Sequence, residues 1–196
     1  MEAHRFDVGV SCLPYPGQAV AGDMVLIQDQ EGVLRVALAD GLGHGPEARA
    51  SAAEAIAAVR EQRTPDLAAA FQEAHRRLAH REFRGAVLGL AHFDRARRLV
   101  RFAGVGNVDL IILAGDVTRL IGHHGTLGGA LPAIRTYEAA FEEGALAFLL
   151  SDGITARFDP SAFRDARTLS AQAIAEAVVR THGRSTDDAS AVVVRG

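Results

Sequence analysis

The alternation of apolar and polar positions divides the chain into short strands and three helical stretches. Phe6 to Leu13 reads as a first strand, ended by the turn Pro14-Tyr15-Pro16-Gly17. Gly22-Asp23 introduces a second, Met24 to Ile27, and Gln28 to Gly32 is a polar turn. Val33 to Ala39 alternates, with Leu34, Val36 and Leu38 on one face, and runs into Asp40. The spacing of Ala48, Ala52, Ala55, Ile56 and Val59 then predicts a helix, with Pro46 at its first position. A second helix carries the stripe Leu67, Phe71, Ala74 and Leu78, and Thr64-Pro65 is placed at its cap. The short connection between them makes a helical hairpin.

From Arg84 the pattern returns to strands: Ala86 to Phe93, Leu99 to Gly104, Val108 to Leu113 and Val117 to Ile121. Asp94 to Arg98 and Gly115-Asp116 are turns between them. Gly122 to Ala130 is a glycine-rich loop carrying His123-His124. Thr136 to Phe141 and Ala145 to Leu150 follow, then Ser151-Asp152-Gly153. A short helix is expected after Pro160, and a last helix capped by Ser170 bears Ile174, Ala177 and Val178. Thr186-Asp187-Asp188 leads into a closing strand, Ala191 to Val194. About ten strands joined by hairpin-length loops predict mainly antiparallel sheets, and helices grouped between runs of strands predict layers. There is no internal repeat or low-complexity linker, so one domain over residues 1–196 is the simplest account.

Composition narrows the picture by exclusion. The apolar fraction of 48% and charged fraction of 23% are ordinary for a globular protein. A net charge of −3 leaves no basic footprint for nucleic acid. All 21 cationic residues are arginine, which reads as genome composition bias. The single cysteine, Cys12, rules out an internal disulfide and a cysteine-based metal site, and fits a reducing cytosol. The N-terminal stretch has Glu2, His4, Arg5 and Asp7 and no apolar core of a signal peptide. No run approaches the roughly 18 apolar residues of a membrane helix. A cytoplasmic protein that binds neither membrane nor nucleic acid is expected.

The candidate chemistry sits at strand ends. Asp40-Gly41-Leu42-Gly43-His44-Gly45 is a strand, a carboxylate, a tight turn and then a helix. Asp23 precedes a strand, Asp152 follows one, and Asp187 lies before the last. In antiparallel sheets the start of one strand lies beside the end of its neighbour. The four can therefore meet at one edge of a sheet sandwich. Carboxylates sharing a site resist joint ionisation, and a hard divalent cation resolves the repulsion. One Asp bridging two ions about 3.5–4 Å apart is the geometry of phosphate hydrolysis, with a nucleophile made from water at neutral pH.

Other readings are weaker. Cys12, in a predicted strand, reads as core. Ser151 lacks the surroundings of a nucleophile elbow. His123-His124 lacks the helical spacing of a zinc pair. Gly104-Val105-Gly106 has no following helix and reads as a tight hairpin rather than a phosphate loop. Arg76, Arg77 and Arg81 read as a solvated helix face, with an acidic partner as the alternative.

The ordered set Gly22-Asp23, Asp40 to Gly45, Gly104-Val105-Gly106-Asn107, Ser151-Asp152-Gly153 and Asp187-Asp188-Ala189-Ser190 resembles the metal-dependent Ser/Thr protein phosphatases of the PPM class, in their bacterial SpoIIE-like branch. The resemblance spans nearly the whole chain. Phe83-Arg84-Gly85-Ala86, Gly104 to Val108 and the short length place it nearest the stand-alone stressosome phosphatases. The resemblance implies an α+β fold: a four-layer α-β-β-α sandwich, two mainly antiparallel sheets flanked by helices. It implies two divalent ions, Mn²⁺ or Mg²⁺. Asp40 matches the bridging ligand, with the Gly41 carbonyl on one ion and Asp23 in that ion's shell. Asp152 and Asp187 match the holders of the other, with Asp188 the rival to Asp187. The implied activity is hydrolysis of phosphoserine or phosphothreonine on a STAS-domain protein of a stressosome or anti-sigma-antagonist type. The sequence does not determine the oligomeric state, and a monomer is favoured. One departure stands out. Leu42 occupies the position where eukaryotic relatives often have histidine, and His44 comes two residues later, so the leaving-group acid has no assigned residue. A catalytically silent binding module and a small-molecule phosphohydrolase are the alternatives.

Overall fold

A computed structural model describes residues 6–30, 32–80 and 83–196. The N-terminal Glu2, His4 and Arg5, part of the Gln28 to Gly32 turn, and Arg81 lie outside the described residues. The described residues form strands β1 (Asp7–Leu13), β2 (Asp23–Gln30) and β3 (Val33–Gly41), then helices α1 (Gly45–Glu61) and α2 (Leu67–Leu78). Strands β4 (Ala86–Asp94), β5 (Leu99–Val105), β6 (Asp109–Ala114), β7 (Asp116–Leu120), β8 (Tyr137–Ala140) and β9 (Leu146–Leu150) follow. A short 3-10 helix (Pro160–Phe163), α3 (Ala171–His182) and β10 (Ala189–Arg195) complete the order.

The strands make two five-stranded sheets, β1-β10-β9-β6-β7 and β2-β3-β4-β5-β8, with antiparallel pairing throughout. Period-two alternation decides which residues face which layer. On β3, Leu34, Val36 and Leu38 turn inward with Phe93, Phe102, Ile112, Leu149 and Val192 to fill the space between the sheets. Ala37 and Ala39 turn the other way, onto α1 and α2, where Ala52, Ile56, Phe71 and Leu78 meet them. The second sheet covers its outer face with α3 through Ile111, Phe148, Val193, Ile174 and Val178. The four-layer α-β-β-α expectation holds. Each large core side chain withdrawn from water contributes on the order of 1.5–3 kcal/mol.

Small residues set the spacing of the outer layers. A Cβ on Gly41 would lie 1.8 Å from the Ala48 carbonyl oxygen of α1, so only glycine lets the helix sit this close to the strand end. That contact brings the first turn of α1 beside the end of β3.

Three local expectations are corrected. The α2 cap is Asp66, whose carboxylate accepts from the Ala68 N–H at 2.9 Å, rather than Thr64. Gly104 to Gly106 is not a hairpin. It carries the chain from one sheet to the other, with Gly106 at φ 90° and its N–H donating to the His123 carbonyl at 2.7 Å. Cys12 is exposed rather than core, because β1 is an edge strand. Its sulfur accepts from the Ser190 hydroxyl at 2.8 Å. The Arg76–Arg77 face is a surface ion-pair network, Arg77 reaching Glu61 at 2.6 Å and Glu73 at 2.7 Å.

Candidate active site

The strand register brings the first two aspartates together. Asp23 opens β2 and stands directly opposite Asp40 at the end of β3. On the second sheet, β9 ends at Leu150 and β10 starts at Ala189, so Asp152 and Asp187 leave adjacent strands at the same end. The crossover from β5 into β6 supplies Asn107, whose side-chain amide donates to the Asp152 carboxylate.

Burial and mutual charge show how close this grouping is. Asp40 is pushed up to about 9, by burial first and then by Asp23, Asp152, Asp187 and Asp188. Asp23 is 2% exposed and is pushed up to about 7 by burial, with Asp188 and Asp152 adding to the rise. The Ser190 and Ser151 hydroxyls stand near enough to offset part of it, yet neither Asp23 oxygen has a hydrogen-bond partner. The Ser190 hydroxyl donates instead to Cys12, while the Ser151 oxygen accepts the Ser190 N–H at 2.9 Å. Asp152 is raised by burial and by Asp187, against Arg184 and Asn107. One of its oxygens is also buried without a partner.

Such orphaned oxygens are costly unless something cationic meets them. Among the described residues no three metal-ligating side chains close into a finished ligand set. The donor set is nevertheless all oxygen, and three buried carboxylate oxygens lack partners, which is the chemistry of a hard divalent ion.

Asp188 plays another part. Its two oxygens accept the Tyr15 N–H at 2.8 Å and the Gly22 N–H at 2.9 Å. It is 2% exposed and ties the loop before β2 to the start of β10. Asp187 uses one oxygen on the Asp188 N–H at 2.9 Å. Each Asp188 oxygen accepts a main-chain amide, whereas Asp187 accepts only the Asp188 N–H among the described residues. Arg49, on α1, reaches the carbonyls of Ala21 and Asp23 at 3.2 and 3.3 Å and braces the same loop. His44 stacks on Tyr15 with ring centroids 4.4 Å apart and meets Gln18 at 3.2 Å. Asn107, Ser151 and Ser190 had no assigned part in the reading of the sequence. The sequence signal for Asn107 was its place in the block Gly104-Val105-Gly106-Asn107.

The raised carboxyls make a pH-dependent prediction for metal-free protein. The folded values of Asp40 and Asp23 lie above the usual aspartate value of about 3.9. The native state therefore binds more protons than the unfolded chain between these limits, and its stability falls as pH rises. In EDTA, the Tm should decline steadily from about pH 5 to about pH 9. Asp40→Asn should flatten the upper part of that slope. A Tm that climbs with pH over this range would contradict the cluster.

Two sheets packed face to face between helices carry the carboxylates at one end. The chain belongs to the Stage II sporulation protein E (SpoIIE) family, whose model matches residues 30–196. It is 25% identical over 140 residues to the phosphoserine phosphatase RsbX of Bacillus subtilis (strain 168), covering 70% of this chain and 69% of that protein. A chain solved in work on the bacterial stressosome, a modular system adapted to control secondary messenger signalling, is 34% identical. It superposes with a TM-score of 0.91 over 98% of this chain and 100% of that one. RsbX in complex with magnesium shares the fold at 22% identity, with a TM-score of 0.85 over 100% and 97% of the two chains. Among the described residues no helix is long and apolar enough to cross a membrane.

Proposed function

We propose that this protein removes phosphate from phosphoserine or phosphothreonine on a STAS-domain protein of a stressosome or anti-sigma-antagonist type. It does so as a monomeric, single catalytic domain in the bacterial cytoplasm. The observation that carries the reading is the meeting of Asp23, Asp40 and Asp152 with three buried, unpartnered carboxylate oxygens, in a SpoIIE-family fold. The stressosome context of the 34%-identical chain and the similarity to RsbX support the choice of partner.

Asp40 would bridge two divalent ions, Mn²⁺ or Mg²⁺. The Gly41 carbonyl and Asp23 would serve one ion, and Asp152 and Asp187 the other. Such a pair supplies a nucleophile from water at neutral pH and offsets charge on phosphoryl oxygens. The chain's own residues do the positioning. Asn107 orients Asp152 through its amide. Asp188 and Arg49 hold the loop that carries Asp23. The tight contact of Gly41 with α1 fixes the end of β3.

Turnover of p-nitrophenyl phosphate with Mn²⁺ separates an enzyme from a silent binding module. A phosphorylated STAS-domain protein separates a protein phosphatase from a small-molecule phosphohydrolase.

Recognition should come from a folded surface. The Gly122 to Ala130 loop pairs with Ala86 through Leu127 in both directions, at 3.2 and 2.9 Å. Its Gly128 N–H donates to His75 of α2 at 3.2 Å. The loop and the helix hairpin thus form one continuous surface beside β4, and this surface would dock the partner. A phosphopeptide cut from the partner lacks most of that contact. Its kcat/KM should fall about ten- to a thousandfold below that of the intact phosphoprotein, equal to about 1.4–4 kcal/mol of remote binding used at the transition state. Equal values would mean that only the phosphorylated residue is read.

A further inference from the structure

A cleft of about 200 Å³ opens beside Asp152, and neither Asp23 nor Asp40 lines it. Its walls include Arg119 and Arg184, and its floor is apolar, from Ile111, Ile154 and Phe158. The catalytic reading uses Asp152 and Asn107 at one edge and leaves the rest unexplained.

The two arginines are held in place by their backbones while their guanidinium groups stay available. The Arg184 N–H donates to the Gly153 carbonyl at 2.8 Å, which pins this residue against the turn carrying Asp152. Its guanidinium makes no hydrogen bond or ion pair with another described residue, although its charge lies near enough to Asp152 to favour that carboxylate. Arg119 stands on β7; among the described residues its one hydrogen bond is to the Phe158 carbonyl, at 3.5 Å, and its charge also acts on Asp159. Two carboxylates share the cleft, and both are engaged. Asp109 accepts the Gly122 N–H at 3.2 Å, and Asp152 belongs to the carboxylate cluster. Asp159 lies beyond Phe158, with its carboxylate on the Ser161 N–H at 2.9 Å. Two cations with spare donors over an apolar floor suit a side chain with a short hydrocarbon stem and an anionic end. A basic side chain would be repelled. An apolar one would cover guanidinium donors without satisfying them.

Position supports the same occupant. A phosphorylated residue placed at the carboxylate cluster leaves its neighbours along an extended chain at about 3.3–3.6 Å per residue. A residue within a few positions of the phosphoserine therefore comes to the cleft that shares Asp152.

We propose that this cleft is a specificity subsite, in which Arg184 and Arg119 receive an acidic side chain of the substrate protein that flanks the phosphorylated residue. The proposal rests on the phosphatase reading above and adds what the substrate must carry next to its phosphate. Bidentate pairing with guanidinium favours Asp or Glu over the isosteric amides.

The test uses the full-length protein with Mn²⁺ and matched phosphopeptides that carry Glu or Gln at one flanking position at a time. The quantity read is the Glu to Gln ratio of kcat/KM, which cancels changes in overall rate. The wild-type protein should prefer Glu about tenfold at one position, a difference of about 1.4 kcal/mol. Arg184→Ala should cut that ratio severalfold, and the Arg119→Ala, Arg184→Ala pair should bring it close to one. Arg184→Lys should keep part of it, which separates charge from a folding defect. No preference at any position, or a preference that survives the double substitution, would overturn the subsite. Failure of the wild-type protein to turn over p-nitrophenyl phosphate would instead overturn the phosphatase reading beneath it.

Discussion

Asp40→Asn is expected to lower kcat on p-nitrophenyl phosphate by about a thousandfold or more, a loss of at least about 4 kcal/mol of transition-state stabilisation. The size follows from position. Asp40 faces Asp23 across the β2–β3 pair and feels the charge of Asp152, Asp187 and Asp188 as well. One substitution there weakens the hold on both proposed ions, whereas a change at Asp23 or Asp187 touches one. Asp152→Asn should cost nearly as much. The fold should survive, because the exchange removes a charge from a repulsive group and keeps the side-chain shape. Metal-free Asp40→Asn at about pH 8 should melt at or above the wild-type temperature. Wild-type kcat in this variant, with bound metal measured, would end the bridging assignment.

Withdrawal of divalent metal is the second large effect. EDTA should take turnover to background, and Mn²⁺ or Mg²⁺ should restore it. The same ions should raise the Tm, since they bind the folded cluster and not the unfolded chain. At a hundred times the dissociation constant the gain is about 2.7 kcal/mol. For a chain of this size that corresponds to about 5–10 °C. The stabilisation arises where Asp23 and Asp152 oxygens are buried without partners. Full turnover in chelator, with metal content verified as nil, would remove the dimetal reading. An unchanged Tm with restored activity would place the ions elsewhere.

Much of this architecture could be read along the chain because its signals are local. Leu34, Val36 and Leu38 sit at a spacing of two, and all three enter the core between the sheets. Leu67, Phe71, Ala74 and Leu78 sit at helical spacing, and all four are buried under α2. Pro46 and Ser170 mark helix starts by chemistry confined to one turn, and the Ser170 hydroxyl accepts from the Ala173 N–H at 3.2 Å. The aspartates were visible for the same reason: each stands where an apolar run stops or begins. The cap of α2 shows how little separates a right from a wrong local reading. Thr64 and Asp66 are both capping residues two positions apart, and only the path of the chain chose Asp66.

What the sequence by itself determined was the set of elements, their order, and four carboxylates at strand ends. What only the tertiary structure decided was which groups face one another. The β2–β3 register set Asp23 against Asp40. The passage of Gly104 to Gly106 between sheets, where a hairpin had been expected, delivered Asn107 to Asp152 across 45 residues of sequence. The Tyr15 and Gly22 amides found their acceptor in Asp188, 166 residues or more along the chain. β1 at a sheet edge put Cys12 at the surface. The physical reason is one of range. Periodicity and capping are fixed by contacts a few residues apart. Hydrogen-bond partners, sheet edges and shared charge depend on chain closure over a hundred residues or more, and no local pattern encodes that closure.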